Sequence, residues 1–558
     1  MNVFAHPIDL SKRHFIAIIF ALFVGLFIVA PQLIFMVREG GHYKGLYMMM
    51  NTESEWYYLA RMHEFYDEGK IGNPYLFEHK FHGPIFISPG GETILAIPGK
   101  LLDISVPTLN LIYKFLLPAI TFLLLYALIF RLTASAAWSI AGGLFFLVGS
   151  TWLYANNLSH FLRGDVSFFT EFVYNRAVHP QFDGVVFFLY LNVLLTIFKK
   201  NNLRGIQDTN TKGRTLGIDS SRFDLVCSRV WFIALSALLG LSFYTYFYSF
   251  TFFLALNFVI VLLWLYFGRK KEAGYLSLAT LGGLLVGFPA LWAIYEAMTH
   301  VDYPQITAYS TSYGHFTEIS KNGLLISLLL AIYLFRTKAF QSTVIVRDYA
   351  LFLVGLLITT FIVVNQQVLT GISLHGGHYH HNFNIPIFII VLMFIASIVT
   401  DHLSSFRPSL KMVWRALPWV ASAIFVITGT FIQYFSYAND APQASEDQRY
   451  VAPLSWLKEH TPKESVVMAN QHLSELIPVY TENNVMWTPD ATNYLMPPER
   501  VRFTPENLLR SDNFLRDIKA FRVDYILWDK RTNLDWNIDR FKLEVKFSGE
   551  DLVIYALP

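Results

Sequence analysis

Apolar stretches long enough to cross a bilayer recur along the whole chain, and nearly all the charge lies in the gaps between them. About 20 apolar residues span a hydrocarbon core as a helix, which satisfies its own backbone hydrogen bonds where water cannot. Such windows fall near 15-36, 108-130, 137-157, 184-198, 230-248, 250-267, 275-297, 323-335, 349-366, 386-400 and 416-436, about eleven in all. The fold class expected is therefore mainly α, a polytopic membrane helical bundle. With 54% hydrophobic residues and only 15% charged ones, no other class accommodates the chain. Lys12 and Arg13 before the first window hold the N-terminus in the cytoplasm. The basic segments at Arg131, Lys199 to Arg229, Arg269-Lys270-Lys271, Arg336 to Arg347 and Arg407 to Arg415 then fall on that same side. The first run is longer than a signal-peptide core and no small-residue cleavage site follows it, so it is read as retained.

An odd number of spans puts the tail on the opposite, outer side. The reading is thus a transmembrane domain, 1-436, with an external loop at 37-92, and an extracytoplasmic soluble α/β domain, 437-558. The tail carries 14 Lys and Arg against 19 Asp and Glu, a balance of −5 in a chain of net charge +2. The basic excess elsewhere alternates with the spans, which is a topology signal and not a nucleic-acid footprint. Near the start of the tail, Pro453 to Pro462 is expected as a helix ended by Thr461-Pro462, followed by a strand at Ser465 to Ala469. Tyr525 to Trp528 and Leu552 to Ala556 are further strands, and Pro505 to Phe521 is expected to be helical. One cysteine, Cys227, excludes an intrachain disulfide and a Cys-rich metal site.

The loop between the first two spans gathers Glu53, Glu55, Glu64, Asp67, Glu68 and Glu78 between hydrophobic helices. Thr52 to His63 reads as a short amphipathic helix, capped by Asn51 or Thr52, with acid in its first turn. Three further outer segments are rich in polar residues. One is Ser159 to Asp165 with Tyr174 to Asp183, which includes Arg163, Arg176, His179 and Gln181. The next is His300 to His315. The last is Asn365-Gln366-Gln367 with His375 to Asn382, which includes His378 and His380.

Segments meeting on one membrane face bring together carboxylates, arginines and histidines, an inventory suited to glycosyl transfer from a lipid phosphate. A carboxylate takes the proton of an acceptor hydroxyl as it attacks the anomeric carbon, and Glu53 and Glu55 stand at the helix start. Arginine binds the charge that collects on a phosphate leaving group, through Arg163 and Arg176. His179, Gln181, Glu78, His82, Gln366, His378 and His380 complete the candidate binding set. Each type also has an ordinary use: acids and aromatics suit any interfacial helix, and arginines near span ends snorkel to headgroups. The histidines admit a divalent metal, although Gly376-Gly377-His378-Tyr379-His380-His381 suits a polar loop or phosphate contact better.

These residues resemble the GT-C superfamily of integral-membrane glycosyltransferases. Glu53-Ser54-Glu55-Trp56-Tyr57-Tyr58-Leu59-Ala60-Arg61 is similar to the family's loop acid followed by Tyr and an Ala-Arg helix. Asn175-Arg176 with His179-Pro180-Gln181 resembles an Arg-x-x-x-Pro-Gln element, and Trp456 to Pro462 with Ser465-Val466-Val467 resembles the soluble domain after the last span. The resemblance implies an inverting transfer of a sugar from a polyprenyl-phosphate donor to a glycan, lipid or protein acceptor on the outer face of the plasma membrane, with a loop acid as general base. Where the family often has Asp, this chain offers Glu-Ser-Glu, so the base is Glu53 or Glu55, and metal dependence stays open. The alternatives are a transporter or flippase, or a polysaccharide polymerase or ligase, handling lipid-linked glycans. A transporter places ionisable groups near the midplane, whereas this chain keeps most of them at span ends.

Overall fold

The computed structural model describes residues 7–50, 55–80, 87–154, 157–164, 173–210, 220–301, 303–304, 311–341, 343–374, 376–489 and 503–558. Among them, eight helices are long and apolar enough to cross a membrane: His14–His42, Val106–Thr133, Ala177–Phe198, Phe247–Tyr266, Lys270–Met298, Val346–Thr370, Gly376–Phe406 and part of Pro408–His460. The protein is a multi-pass integral membrane protein with a mainly α fold. The other three apolar windows fall on the helices Ala136–Val148, Ser220–Thr245 and Lys321–Thr337. The basic stretch 199–229, expected as a loop, is largely the continuation of the helices Asp183–Asn210 and Ser220–Thr245.

The chain divides into two compact units. The first comprises Met1–Val29, Lys114–Pro289 and Ser310–Phe435. Without water to drive apolar association, its helices pack through small residues and buried hydrogen bonds. A Cβ on Gly283 would come within 2.6 Å of Leu239, and one on Gly287 within 2.2 Å of Phe243, so these glycines set the approach of Lys270–Met298 to Ser220–Thr245. A polar chain joins three spans: the Tyr190 hydroxyl donates to Asn257 Oδ1 at 2.7 Å, and Asn257 Nδ2 donates to Thr280 Oγ1 at 2.9 Å. Two short strands, β1 (Thr311–Tyr313) and β2 (Ile372–Leu374), pair antiparallel.

The second unit comprises Ala30–Tyr113, Ala290–Tyr309 and Ser436–Pro558. Its strands are β3 (Val466–Met468), β4 (Asn484–Val485), β5 (Val523–Asp529), β6 (Glu544–Ser548) and β7 (Leu552–Ala556), in one mixed sheet of order β4-β3-β5-β7-β6. The parallel pairs β3 with β4 and β3 with β5 precede the antiparallel β5-β7-β6 part. Val466, Met468, Ile526, Trp528, Val553 and Tyr555 build a core with Leu508, Phe514, Ile518 and Trp536. Helix Val451–His460 and the strands at 466–468 and 552–556 match the sequence expectations closely. The helix expected over 505–521 is instead two, Pro505–Leu509 and Phe514–Ala520, broken near Ser511, whose hydroxyl donates to Asp517 in the second.

The first loop belongs to this same unit. The Val485 amide at the β4 edge donates to the Tyr75 carbonyl at 2.8 Å, and Phe77 packs against the sheet core. Helix Glu55–Glu68 packs on helices Gly90–Leu102 and Gln471–Tyr480.

Candidate functional site

Glu53 lies outside the described residues, and so do the expected caps Asn51 and Thr52, with His82, Asp165 and His375. Glu55 opens the loop helix and is only 2% exposed. Its Oε2 accepts from the Tyr47 hydroxyl and its Oε1 from Asn110 Nδ2, each at 3.0 Å. Both of these donors are neutral groups, and one on each oxygen orients the carboxyl. Trp56 fills the space beside it, edge-on to Tyr47 at 6.0 Å and 6.2 Å from the Tyr480 ring.

Further along the helix, Arg61 is fully buried and pairs with Glu92 at 2.9 Å. It also donates to the Tyr57 hydroxyl and the Ile87 carbonyl. Toward the far end, Glu64 Oε2 accepts the Gly72 amide, and burial pushes its carboxyl up to about 7 against the pull of that bond and of Lys80. Burial also raises Asp67, whereas the hydrogen bond from Lys463 lowers Glu68. The acids of the loop are thus not one cluster. Glu55 and Glu64 are both buried, but in different company. Glu78 sits half-buried in the short turn Phe77–His79.

The second and fourth polar segments meet in the first unit. His179 Nδ1 bonds the Asp183 carboxylate, and the two side chains are 4% and 2% exposed. The His179 ring stacks on Tyr246 at 4.6 Å. The Tyr246 hydroxyl bonds His378 Nδ1 at 2.7 Å and accepts from Asn382 Nδ2 at 3.3 Å. Tyr248 stacks on His378 at 4.6 Å. Ionisable side chains as fully buried as His179 and Asp183 are expensive in a membrane protein and generally serve a site. Beside them Gln181 Nε2 holds the Tyr174 carbonyl at 2.9 Å. Among the described residues the Tyr174 hydroxyl, Asn175 Oδ1 and Gln181 Oε1 are buried with no hydrogen-bond partner, an arrangement that normally marks a bound water or ligand.

His380 approaches Glu318 at 3.7 Å. Arg163 is exposed past the end of helix Asn157–Leu162, Arg176 is half-buried just before Ala177–Phe182, and Gln366 is half-buried at a helix break. Among the described residues no three His, Cys, Asp or Glu side chains gather to hold a metal. Sequence reasoning missed Tyr47, Asn110, Tyr480, Asp183, Tyr246 and Tyr248. Only Asp183 carries a local signal, the i, i+4 spacing from His179.

No family model and no curated protein matches the sequence. Solved structures do match. The oligosaccharyltransferase of Archaeoglobus fulgidus in complex with Zn and sulfate superposes with a TM-score of 0.52 at 12% identity, covering 92% of this chain and 68% of that one. The same organism's oligosaccharyltransferase AglB, in complex with an inhibitory peptide and a dolichol-phosphate, gives 0.50 at 12%, covering 96% and 74%. ArnT from Cupriavidus metallidurans in the apo state gives 0.47 at 14%, covering 96% and 98%. At such identities the likeness is one of fold, shared over most of this chain with both oligosaccharyltransferase structures.

Proposed function

We propose that this protein is a membrane glycosyltransferase that moves a sugar from a polyprenyl-phosphate donor to an acceptor on the outer face of the plasma membrane. The observation that carries the reading is Glu55: a buried carboxylate at the first turn of the first-loop helix, held at both oxygens by neutral donors, on a GT-C fold. A solved structure of that fold holds a dolichol-phosphate, which favours a lipid-phosphate donor here. On this reading the N-terminus is cytoplasmic, and the loop and 437–558 lie outside.

The acceptor hydroxyl gives its proton to a loop carboxylate as its oxygen bonds the anomeric carbon. The bond from that carbon to the phosphate oxygen breaks, the electron pair goes to the phosphate, and attack from the far side inverts the centre. Glu55 is the base in this reading, with Glu53 two residues before it as the competing assignment. Arg176, His179 and His378 are assigned to the phosphate, whose growing charge calls for cationic or N–H donors. Gln181, Glu78, His82, Gln366, His380 and Arg163 are assigned to the rest of the substrate.

The test uses the purified full-length chain in detergent with a panel of decaprenyl-phosphate-linked hexoses and mixed acceptors. Release of decaprenyl phosphate that depends on acceptor supports transfer, and its loss in Glu55→Gln assigns the base. Full release by Glu53→Gln, Glu55→Gln and the double variant together removes the loop acids from the chemistry.

A further inference from the structure

The buried carboxylate of Glu55 is steered from far along the chain. Tyr47 lies in the extended segment after the first span and is 4% exposed. Its hydroxyl donates to Glu55 at 3.0 Å, and its backbone amide donates to the Tyr480 hydroxyl, also at 3.0 Å. Just before it, Gln448 clamps the same segment: its Oε1 accepts the amides of Lys44 at 2.9 Å and Leu46 at 3.3 Å. Its Nε2 donates to the carbonyls of Leu46 at 2.9 Å and Ala444 at 3.0 Å. A side-chain amide has two donors and two acceptor lone pairs, so Gln448 spends all of them on holding this segment to the end of helix Lys411–Asp447. Trp56 wedges against both Tyr47 and Tyr480 and fixes their rings.

We infer that Tyr47 is the positioning residue for Glu55, and that Gln448 and Tyr480 of the C-terminal segment set Tyr47 in place. The inference deepens the proposed function and rests on Glu55 being its base. A base must present one lone pair along the line of the acceptor proton, and a small misplacement costs rate. A carboxylate on a single helix residue can rotate about its terminal bond; two donors on different oxygens stop that rotation. Asn110 supplies one from the Val106–Thr133 helix, and Tyr47 supplies the other. Burial, and next the charge of Glu55, push the Tyr47 phenol well above its ordinary value, so it stays a donor at every working pH. Burial acts likewise on Tyr480. The tail thereby builds the setting of the base in addition to any acceptor contact.

The experiment compares Tyr47→Phe, Tyr480→Phe and Tyr66→Phe in the decaprenyl-phosphate release assay, with Glu55→Gln beside them. Tyr66 is on the same helix as Glu55 but donates to the Ile104 carbonyl at 2.9 Å, so its loss reports a hydrogen bond not aimed at Glu55. Tyr47→Phe should lower kcat about tenfold or more with the donor KM within about twofold and an unchanged melting temperature. Tyr480→Phe should move kcat the same way by a smaller factor, and Tyr66→Phe should leave it alone. Wild-type kcat in Tyr47→Phe, a loss no larger than in Tyr66→Phe, or a change confined to KM overturns the inference. If Tyr47→Phe does not fold, Tyr480→Phe decides it by the same kcat criterion. If the wild type turns over and Glu55→Gln keeps its kcat, the inference falls while glycosyl transfer stands. If the wild type releases decaprenyl phosphate from no hexose, the proposed function falls and the inference with it.

Discussion

The first and third turns of the loop helix each bury a glutamate, and the two are treated in opposite ways. Glu55 receives two side-chain donors, one on each oxygen. Glu64, 5% exposed, receives one backbone amide on one oxygen, and its other oxygen is buried without a hydrogen-bond partner among the described residues. An anion left half-solvated inside a protein is disfavoured, and burial accordingly raises Glu64 to about 7. The same residue type on the same helix is therefore an oriented acceptor in one place and a group on the edge of protonation in the other. Composition alone, which counts both as acid, cannot separate them.

The largest effect that would sharpen the contrast is on the chemistry. On the proposed reading Glu55→Gln lowers transfer by a factor on the order of 10²–10⁴, while Glu64→Gln stays near wild type. Decaprenyl phosphate release by the two purified variants measures this. Equal activity in both would erase the functional difference between the turns.

Next comes the ion pair that separates them. Arg61 and Glu92 are both fully buried at 2.9 Å. Removing one partner leaves a buried charge without its counter-charge, so Glu92→Ala should cost about 3–5 kcal/mol in unfolding titrations in mixed micelles. Replacing both, Arg61→Met with Glu92→Leu, should recover much of that loss, because the desolvation cost disappears with the charges. A double variant as weak as the single one would show that the pair contributes more than it costs.

Glu64 gives a pH-dependent test with a definite sign. Its folded-state carboxyl titrates near 7, above its ordinary 4.5, so the folded protein binds the extra proton between those values. The stability this contributes is fully present below about pH 4.5 and is lost as pH rises through 7. Glu64→Gln keeps an acceptor for Gly72 but cannot ionise. It should match wild type at about pH 4 and exceed it at about pH 8 by up to about 3 kcal/mol, less whatever local relaxation and water admit. Parallel stability profiles for the two proteins would mean that Glu64 is better solvated than its burial implies.

What is legible in the sequence follows from the range of the forces involved. The spans are readable because hydrophobicity over a window is a local sum, and every apolar window falls on a helix. The window at 137-157 overruns because Gly149 ends Ala136–Val148 and a tighter turn, Ser150–Leu153, follows. Strands β3, β5 and β7 show as apolar runs, while β6 does not, because Glu544-Val545-Lys546 is an exposed sheet edge with charges in it. The loop acids are visible as residues, but their sorting is not. Tyr47 is held by Tyr480, 433 residues away, and Asn110 reaches Glu55 across 55 residues. Those partners belong to tertiary packing, which no local pattern encodes. His179 and His378 stand out as polar residues at span ends, yet the residue that joins them, Tyr246, lies in a run of aromatics that looks like span.

The smallest expected effect sits at the exposed end of the same helix. Glu68 accepts from Lys463 at 2.8 Å, with the lysine side chain 40% exposed and the glutamate 21%. That hydrogen bond lowers the Glu68 carboxyl, so its contribution is present above the ordinary carboxylate range and fades as pH falls through the lowered value. Water and salt screen the pair, and two long side chains lose freedom to form it, so Lys463→Ala should cost under about 1 kcal/mol and nothing measurable in about 1 M salt. Lys80, which approaches Glu68 at 3.8 Å and Glu464 at 3.0 Å, keeps a cation nearby and softens the loss further. Unfolding titrations at low and high salt check this. A loss as large as that of Glu92→Ala would mean that the far end of the helix is as dry as its middle, and the contrast between oriented and merely buried acids would then need to be drawn elsewhere along the loop.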